Sequence, residues 1–223
     1  MEELLLIDKP KEITSMDVIR RLRKELNIRK IGHAGTLDPL ATGLMLVGVG
    51  TGTKKLAELI KLDKEYVAEV RIGERRSTGD LEGEILEEKS VTEAAEILRS
   101  KISAALAELI GTNSYPVSAY SAIKVDGVPM YKRARRAEKR GQIVDEVPVR
   151  DMTVYVAELL DFSLTNSAEK NRAVATVRFY VASGTYIRSL AEALGYRIGY
   201  PATLQNLRRT RVGDFDIKNA QPL

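Results

Sequence analysis

The only histidine and a lone carboxylate share one glycine-rich stretch. Residues 31–53, IGHAGTLDPLATGLMLVGVGTGT, hold His33 and Asp38 among glycines, threonines and small apolar residues. Asp38 precedes Pro39, which biases its backbone toward an extended or turn conformation. Gly32, Gly35 and Gly43 flank it, and glycine permits tight turns and close backbone approach. The apolar run LMLVGV that follows has strand length. Two readings stay open from these residues. One is an Asp-Pro turn ahead of a buried strand; the other is a loop that brings a reactive carboxylate close to a ligand. One histidine and no cysteine in the whole chain argue against a zinc site, and thiolate chemistry is excluded.

Two phosphate-binding patterns fail on inspection. GVGTGTKK resembles a P-loop, but Thr53 stands where the second glycine belongs and Lys55 where Ser or Thr is needed. The Rossmann spacing fails at the same Thr53.

Other residues stand out against the elements that must carry them. EYVAEVRIG alternates, so Tyr66, Ala68, Val70 and Ile72 share one face of a strand. Lys124 sits between apolar neighbours, a place that suits a lysine meeting an anion or one snorkelling to water. Residues 130–140, MYKRARRAEKR, hold six basic residues and one acid, including Lys132, Arg133, Arg135 and Arg136. Such density in a nearly neutral chain points to a nucleic-acid contact. Arg188 falls in the first turn of the helix expected at TYIRSLAEAL, where a cation opposes the helix dipole, a cost that surface solvation would absorb or a buried carboxylate partner would reverse.

The remaining elements follow from periodicity. Residues 4–8 read as a buried strand, and Thr14 or Ser15 as the cap of a helix with Val18, Ile19, Leu22 and Leu26 inward. Arg20, Arg21, Arg23 and Lys24 occupy its other face. Residues 54–62 form a short helix, and ERRSTGDLEGEIL a loop with a turn at Gly79-Asp80. Ser90 and Glu93 fit a capping box for a helix burying Ile97, Leu98, Ile102, Leu106 and Leu109, with Gly111 as its stop. Residues 152–164 and 173–182 read as long strands joined through 166–171, and Gly195 closes the last helix. The irregular strand–helix order argues for α+β over a parallel α/β sheet. At 223 residues, with 35 basic and 31 acidic side chains, no signal peptide and no apolar run of membrane length, the chain reads as soluble and cytoplasmic.

Taken in order, DKPKEITS at 8–15, GHAGTLDPLATGLMLVGVGTGTKK at 32–55, KEYVAEVRIGERRSTGDLEGEI at 64–85, YSAIKVDGVPMYKRARR at 120–136, VASGTYIRSLAEALG at 181–195 and LRRTRVGDF at 207–215 resemble the TruB family of tRNA pseudouridine synthases. The resemblance implies that Asp38 is the catalytic carboxylate, that Tyr66 stacks on the target base, and that Arg188 pairs with Asp38. It implies that His33 helps hold the opened RNA loop, and that Lys124, Tyr186 and Leu207 line the base pocket. It further implies a curved, mixed and mainly antiparallel sheet flanked by helices, with an RNA-binding insertion at about 124–150 that carries the basic cluster. The expected substrate is uridine 55 in the T-loop of tRNA, handled by a monomer with no cofactor and no metal. There are departures. Glu12 stands where the family usually has glycine, and GTNSYPVSAYSA lacks the usual Gln-x-Pro-Pro-x-Tyr pattern. The chain also ends at Leu223, without room for the C-terminal PUA-type domain general in bacterial members. A non-catalytic RNA-binding module on this scaffold and a synthase for another RNA are the rival readings.

Overall fold

The computed structural model describes residues 2–140, 142, 147–165 and 170–223. The strands and helices in chain order are β1 (Glu2–Lys9), α1 (Ser15–Glu25), β2 (Ile31–Ala34), β3 (Thr42–Gly50), α2 (Leu56–Leu59), β4 (Lys64–Ile72), β5 (Glu74–Arg76), β6 (Ile85–Glu88), α3 (Ala95–Leu109), β7 (Gly111–Pro116), β8 (Lys124–Val125), β9 (Val128–Pro129), α4 (Met130–Glu138), β10 (Val149–Thr165), β11 (Arg172–Val181), α5 (Ile187–Ile198), β12 (Ala202–Val212), β13 (Phe215–Asp216) and β14 (Gln221–Pro222). Among the described residues, ten strands make one sheet along the path β14-β1-β3-β12-β4-β11-β10-β7, with β13 on β12 and β2 on β3. Only the β1–β14 and β3–β12 pairings are parallel, so the sheet is mixed and mainly antiparallel. The α+β expectation holds.

Sequence pattern explains the middle of the sheet. On β4, Lys64, Tyr66, Ala68, Val70 and Ile72 are buried while the residues between them are partly exposed. β11 answers with Ala173, Ala175, Val177, Phe179 and Val181. Onto this face pack Leu98, Ile102, Leu106 and Leu109 of α3 and Leu190, Ala191, Leu194 and Ile198 of α5. β3 is buried on both faces. Met45, Val47 and Val49 join the main core, whereas Leu44 and Leu46 join a second cluster with Ala34 and Val212. The polar side of the sheet is stitched together, with Glu69 accepting from Gln205 at 3.0 Å and from Asn206 at 2.5 Å.

Several expectations need correction. Leu26 ends α1 as its C-cap and is 38% exposed, and Ile97 of α3 is 55% exposed. The Ser90–Glu93 capping box does not form: α3 begins after Ala94, Ser90 accepts from the Asn171 amide at 3.1 Å, and Glu93 pairs with Lys101. Val91 is bound to the Asn171 carbonyl and buried, which keeps this stretch out of the helix. The loop expected at residues 74–86 holds β5 and the start of β6, which pair as a hairpin. Gly195 does not end α5. It lies inside the helix, where an added Cβ would come 2.5 Å from the Ala202 Cβ, and Gly199 in the left-handed conformation is the stop. Residues 166–169 of the expected connection, and 141 and 143–146 of the expected insertion, lie outside the described residues.

Candidate active site

Asp38 sits on the loop between β2 and β3, and the N-terminal segment sets that loop. Ser15, the first residue of α1, is buried. Its Oγ donates to the Leu37 carbonyl and accepts from the Leu37 amide, both at 2.9 Å. α1 can start there because Thr14 and Asp17 complete a capping box. The Glu12 amide donates to the Pro39 carbonyl at 2.9 Å, and the Asp38 carbonyl accepts from Ala41 at 3.1 Å. Lys9, fully buried, donates to Ile13 at 2.6 Å and to Pro39 at 3.4 Å. Burial, the largest effect, brings its ammonium down to about 8, against the pull of Asp38, Glu82 and Asp17.

Arg188 meets this loop from the first turn of α5. Its Nη2 lies 3.2 Å from Asp38 Oδ2, and its Nη1 lies 3.7 Å from Asp80 Oδ2. Nη1 also donates to the Thr78 carbonyl at 2.8 Å and Nη2 to the Tyr120 carbonyl at 3.4 Å. The guanidinium is 7% exposed and Asp80 is 4% exposed, while Asp38 is 41% exposed. One carboxylate is therefore sealed behind the arginine, and the other faces solvent. This arrangement offsets the unfavourable placement of a cation at a helix N-terminus.

A cavity of about 330 Å³ opens on Asp38, a size ordinary for small-molecule sites. Tyr66, Tyr186, Arg188, Leu207, Arg209 and Lys64 line it. Tyr66 and Arg209 are register partners on β4 and β12, so the aromatic ring and a buried cation share one face. Burial raises the Tyr186 hydroxyl, partly offset by Arg188. Lys64 donates to the Ile60 and Leu62 carbonyls, each at 2.6 Å, and to Ser183 Oγ at 3.0 Å. Burial and the charge of Arg209 bring its ammonium down to about 8. A carboxylate and an aromatic residue line one cavity here, a combination suited to a nucleobase and its sugar.

Comparison with known proteins places the chain in a family. The model of the TruB family pseudouridylate synthase N-terminal domain matches residues 23–187. The chain belongs to the TruB family. It is 44% identical over 220 residues to tRNA pseudouridine synthase B of Leifsonia xyli subsp. xyli, covering 99% of this chain and 70% of that protein. With tRNA pseudouridine synthase B of Opitutus terrae it shares 40% over 223 residues, covering 100% and 86%. Among solved structures, it is similar to a chain of an H/ACA RNP bound to a substrate RNA containing 2′-deoxyuridine. There the TM-score is 0.67 at 26% identity, over 98% of this chain and half of that one.

In this TruB-family chain a second cavity, of about 250 Å³, adjoins the first across Asp38 and Arg188. His33, Glu82, Tyr120, Tyr131 and Arg135 line it. His33 is half-buried with its Nδ1 unpartnered; burial, then Arg209, holds its imidazole below the usual value. Burial and then Asp80 and Asp38 raise the Glu82 carboxyl. Arg135 and Tyr131 come from α4, which therefore reaches the edge of the site. Lys132 and Arg136 are exposed on the same helix. Arg133 is turned away to Asp126, 2.9 Å off, and to the Val125 carbonyl.

The structure thus brings together Asp38, Tyr66, Arg188, Tyr186 and Leu207, with His33 and Arg135 adjoining. Lys124 is a different case. Paired with Pro129 in the β8–β9 hairpin, it is exposed and lines neither cavity. Asp80, Lys64 and Arg209 are site residues that the sequence motifs do not single out. Asp80 was legible as half of a turn signal, and Lys64 by its alternation with Tyr66. Arg209 had no signal of its own among three neighbouring arginines.

Proposed function

We propose that this chain isomerises uridine to pseudouridine in tRNA, at uridine 55 of the T-loop, working as a monomer in the cytoplasm. The observation that carries the reading is the Asp38–Arg188 pair opening onto a cavity walled by Tyr66. The reaction breaks the N1–C1′ bond, turns the uracil, joins C5 to C1′, and returns the C5 proton to solvent as N1 gains one. Atoms and electrons balance without an external oxidant, reductant or donated group.

A uridine stacked in a folded loop is out of reach, so it must be flipped out at a cost of a few kcal/mol. Tyr66 compensates by stacking on the base, worth about 1–3 kcal/mol. Asp38, the exposed partner of Arg188, supplies the negative charge needed at the sugar as the glycosidic bond opens. Arg188, itself fixed by Asp80 and two carbonyls, holds that carboxylate in one orientation. The slot flanking both groups gives the freed uracil room to turn while keeping it from escaping. α4 and the basic side chains it carries grip the RNA backbone outside.

Asp38→Asn keeps the shape of the side chain and removes its charge. Purified D38N is expected to bind a tRNA transcript like the unchanged protein and to form no pseudouridine. Turnover near the unchanged rate would overturn the reading. Mapping pseudouridine in total RNA with and without the gene then tests the target: loss at a position other than tRNA uridine 55 would assign another RNA.

A further inference from the structure

The loop that carries Asp38 begins and ends on one side chain. Arg209 is fully buried. Its Nη2 donates to the Gly35 carbonyl at 3.1 Å and its Nε to the Leu44 carbonyl at 2.7 Å. Gly35 and Gly43, the hinges at the two ends, have φ of +92° and +106°, where other residues are strained. An added Cβ at Gly43 would lie 2.3 Å from the Arg209 carbonyl oxygen, and one at Gly35 would lie 3.4 Å from Arg209 Nη1. Both hinges therefore rest against the same residue.

The sheet is bent to put Arg209 there. β12 pairs with β4 with register shifts between Leu204 and Asn206 and again between Arg209 and Arg211. Each extra residue reverses which side chains face the core. The first shift turns Leu207 and Arg209 toward the Tyr66 face, and the second buries Val212 in the second cluster.

Stability alone is a poor account of this arginine. Its Nη1 is buried with no hydrogen-bond partner, and a buried guanidinium with an unmet donor costs the fold more than an apolar side chain would. What the guanidinium gains in return is a two-point hold on the loop: two donors in a rigid fork, set to two carbonyls nine residues apart. A lysine has one charged nitrogen and cannot reproduce that fork.

We infer that Arg209 is a positioning residue for the reaction. It fixes the loop over residues 35–43 so that the Asp38 carboxylate stays opposite Arg188 and beside Tyr66. This rests on the pseudouridine synthase reading above. It differs in kind from the Arg188 contact, because the hydrogen bonds of Arg209 to the loop go to backbone carbonyls.

The test compares the full-length protein with Arg209→Lys and Arg209→Gln on a tRNA transcript. Both variants are expected to lose roughly 10²-fold in kcat, the scale of a misplacement of about 1 Å, with KM and tRNA affinity unchanged. Amide exchange in residues 35–41 should quicken while β4 and β11 keep their protection. Leu98→Ala, in the core of α3, should lower Tm without lowering kcat, which separates positioning from general destabilisation. Unchanged kcat in Arg209→Lys would overturn the inference, since charge alone would then suffice. Lost kcat without faster exchange in 35–41 would overturn it too. If the unchanged protein makes no pseudouridine, the functional reading fails, and the exchange comparison still decides whether Arg209 holds the loop. Should neither Arg209 variant fold, Gly35→Ala strains the same hinge from the loop side: an unaltered kcat there rejects the inference, and a fall at constant affinity supports it.

Discussion

Glu12 holds a backbone conformation that suits glycine. Its φ is +70°, and its amide is tied to the Pro39 carbonyl at 2.9 Å. A side chain in the left-handed region costs roughly 1–2 kcal/mol, whereas glycine there forfeits about 0.5–1 kcal/mol of unfolded-chain entropy. Glu12→Gly is therefore expected to stabilise the protein by roughly 0.5–1 kcal/mol, raising Tm by about 1–4 °C in a chain of this size. A lower Tm in a thermal melt would show that the glutamate side chain contributes more than the strain removes. The departure from the family pattern shows up as backbone strain at Glu12. His33 carries a second prediction at this scale. Burial and Arg209 depress its proton affinity below the ordinary value of 6.5. The unfolded chain then takes up a proton first, so the stability that neutral His33 contributes is present above pH 6.5 and is lost as pH falls below it. His33→Gln removes this contribution. The gap in Tm between the two proteins should move against wild type from about pH 7 to about pH 5; parallel curves would sink the argument.

α5 carries Arg188, the partner of Asp38, on its first turn. The helix packs on β12 through Gly195, where a Cβ would stand 2.5 Å from the Ala202 Cβ and 2.7 Å from the Tyr200 carbonyl oxygen. Alanine at a helix interior normally gains up to about 1 kcal/mol over glycine. Here overpacking dominates, and Gly195→Ala is expected to destabilise by roughly 1–3 kcal/mol, read in urea unfolding. A stabilised variant would mean that the helix can back away from the sheet at little cost. The same element shows what the sequence can and cannot reveal. The alternation of β4 is plain, and it places Tyr66 on the core face from the amino-acid order alone. Gly195 reads as a stop because a glycine near a helix end usually is one, and only the close approach of β12 explains it inside the helix. β12 hides its inward face because two register shifts break the alternation in LQNLRRTRV. The capping box at Ser90 has the right letters, but a tertiary bond to Asn171 claims the serine. Local signals are legible. Contacts between distant segments, Asp80 to Arg188 and Arg209 to Gly35, are not.

Across the whole molecule the charge is small in sum and uneven in place. The chain carries a net +4, yet six basic residues fall between 130 and 140. α4 brings one of them, Arg135, to the rim of the second cavity, where it and Tyr131 meet the wall that Asp38 and Arg188 share. A flipped uridine in the first cavity would leave its flanking backbone running past this rim, so phosphate contacts and chemistry belong to different surfaces. The two can then be separated by experiment. Lys132, Arg136 and Lys139 are exposed and line neither cavity. Each phosphate contact contributes roughly 0.7–0.9 to the slope of log affinity against log salt. Changing all three residues to glutamine should lower that slope by about 2 and weaken tRNA binding at low salt most. At saturating tRNA the rate of pseudouridine formation should stay unchanged, because Asp38, Tyr66 and Arg188 are untouched. An unaltered slope would remove α4 from the RNA path, and a fall in the saturated rate would mean that the grip and the chemistry are not separable after all.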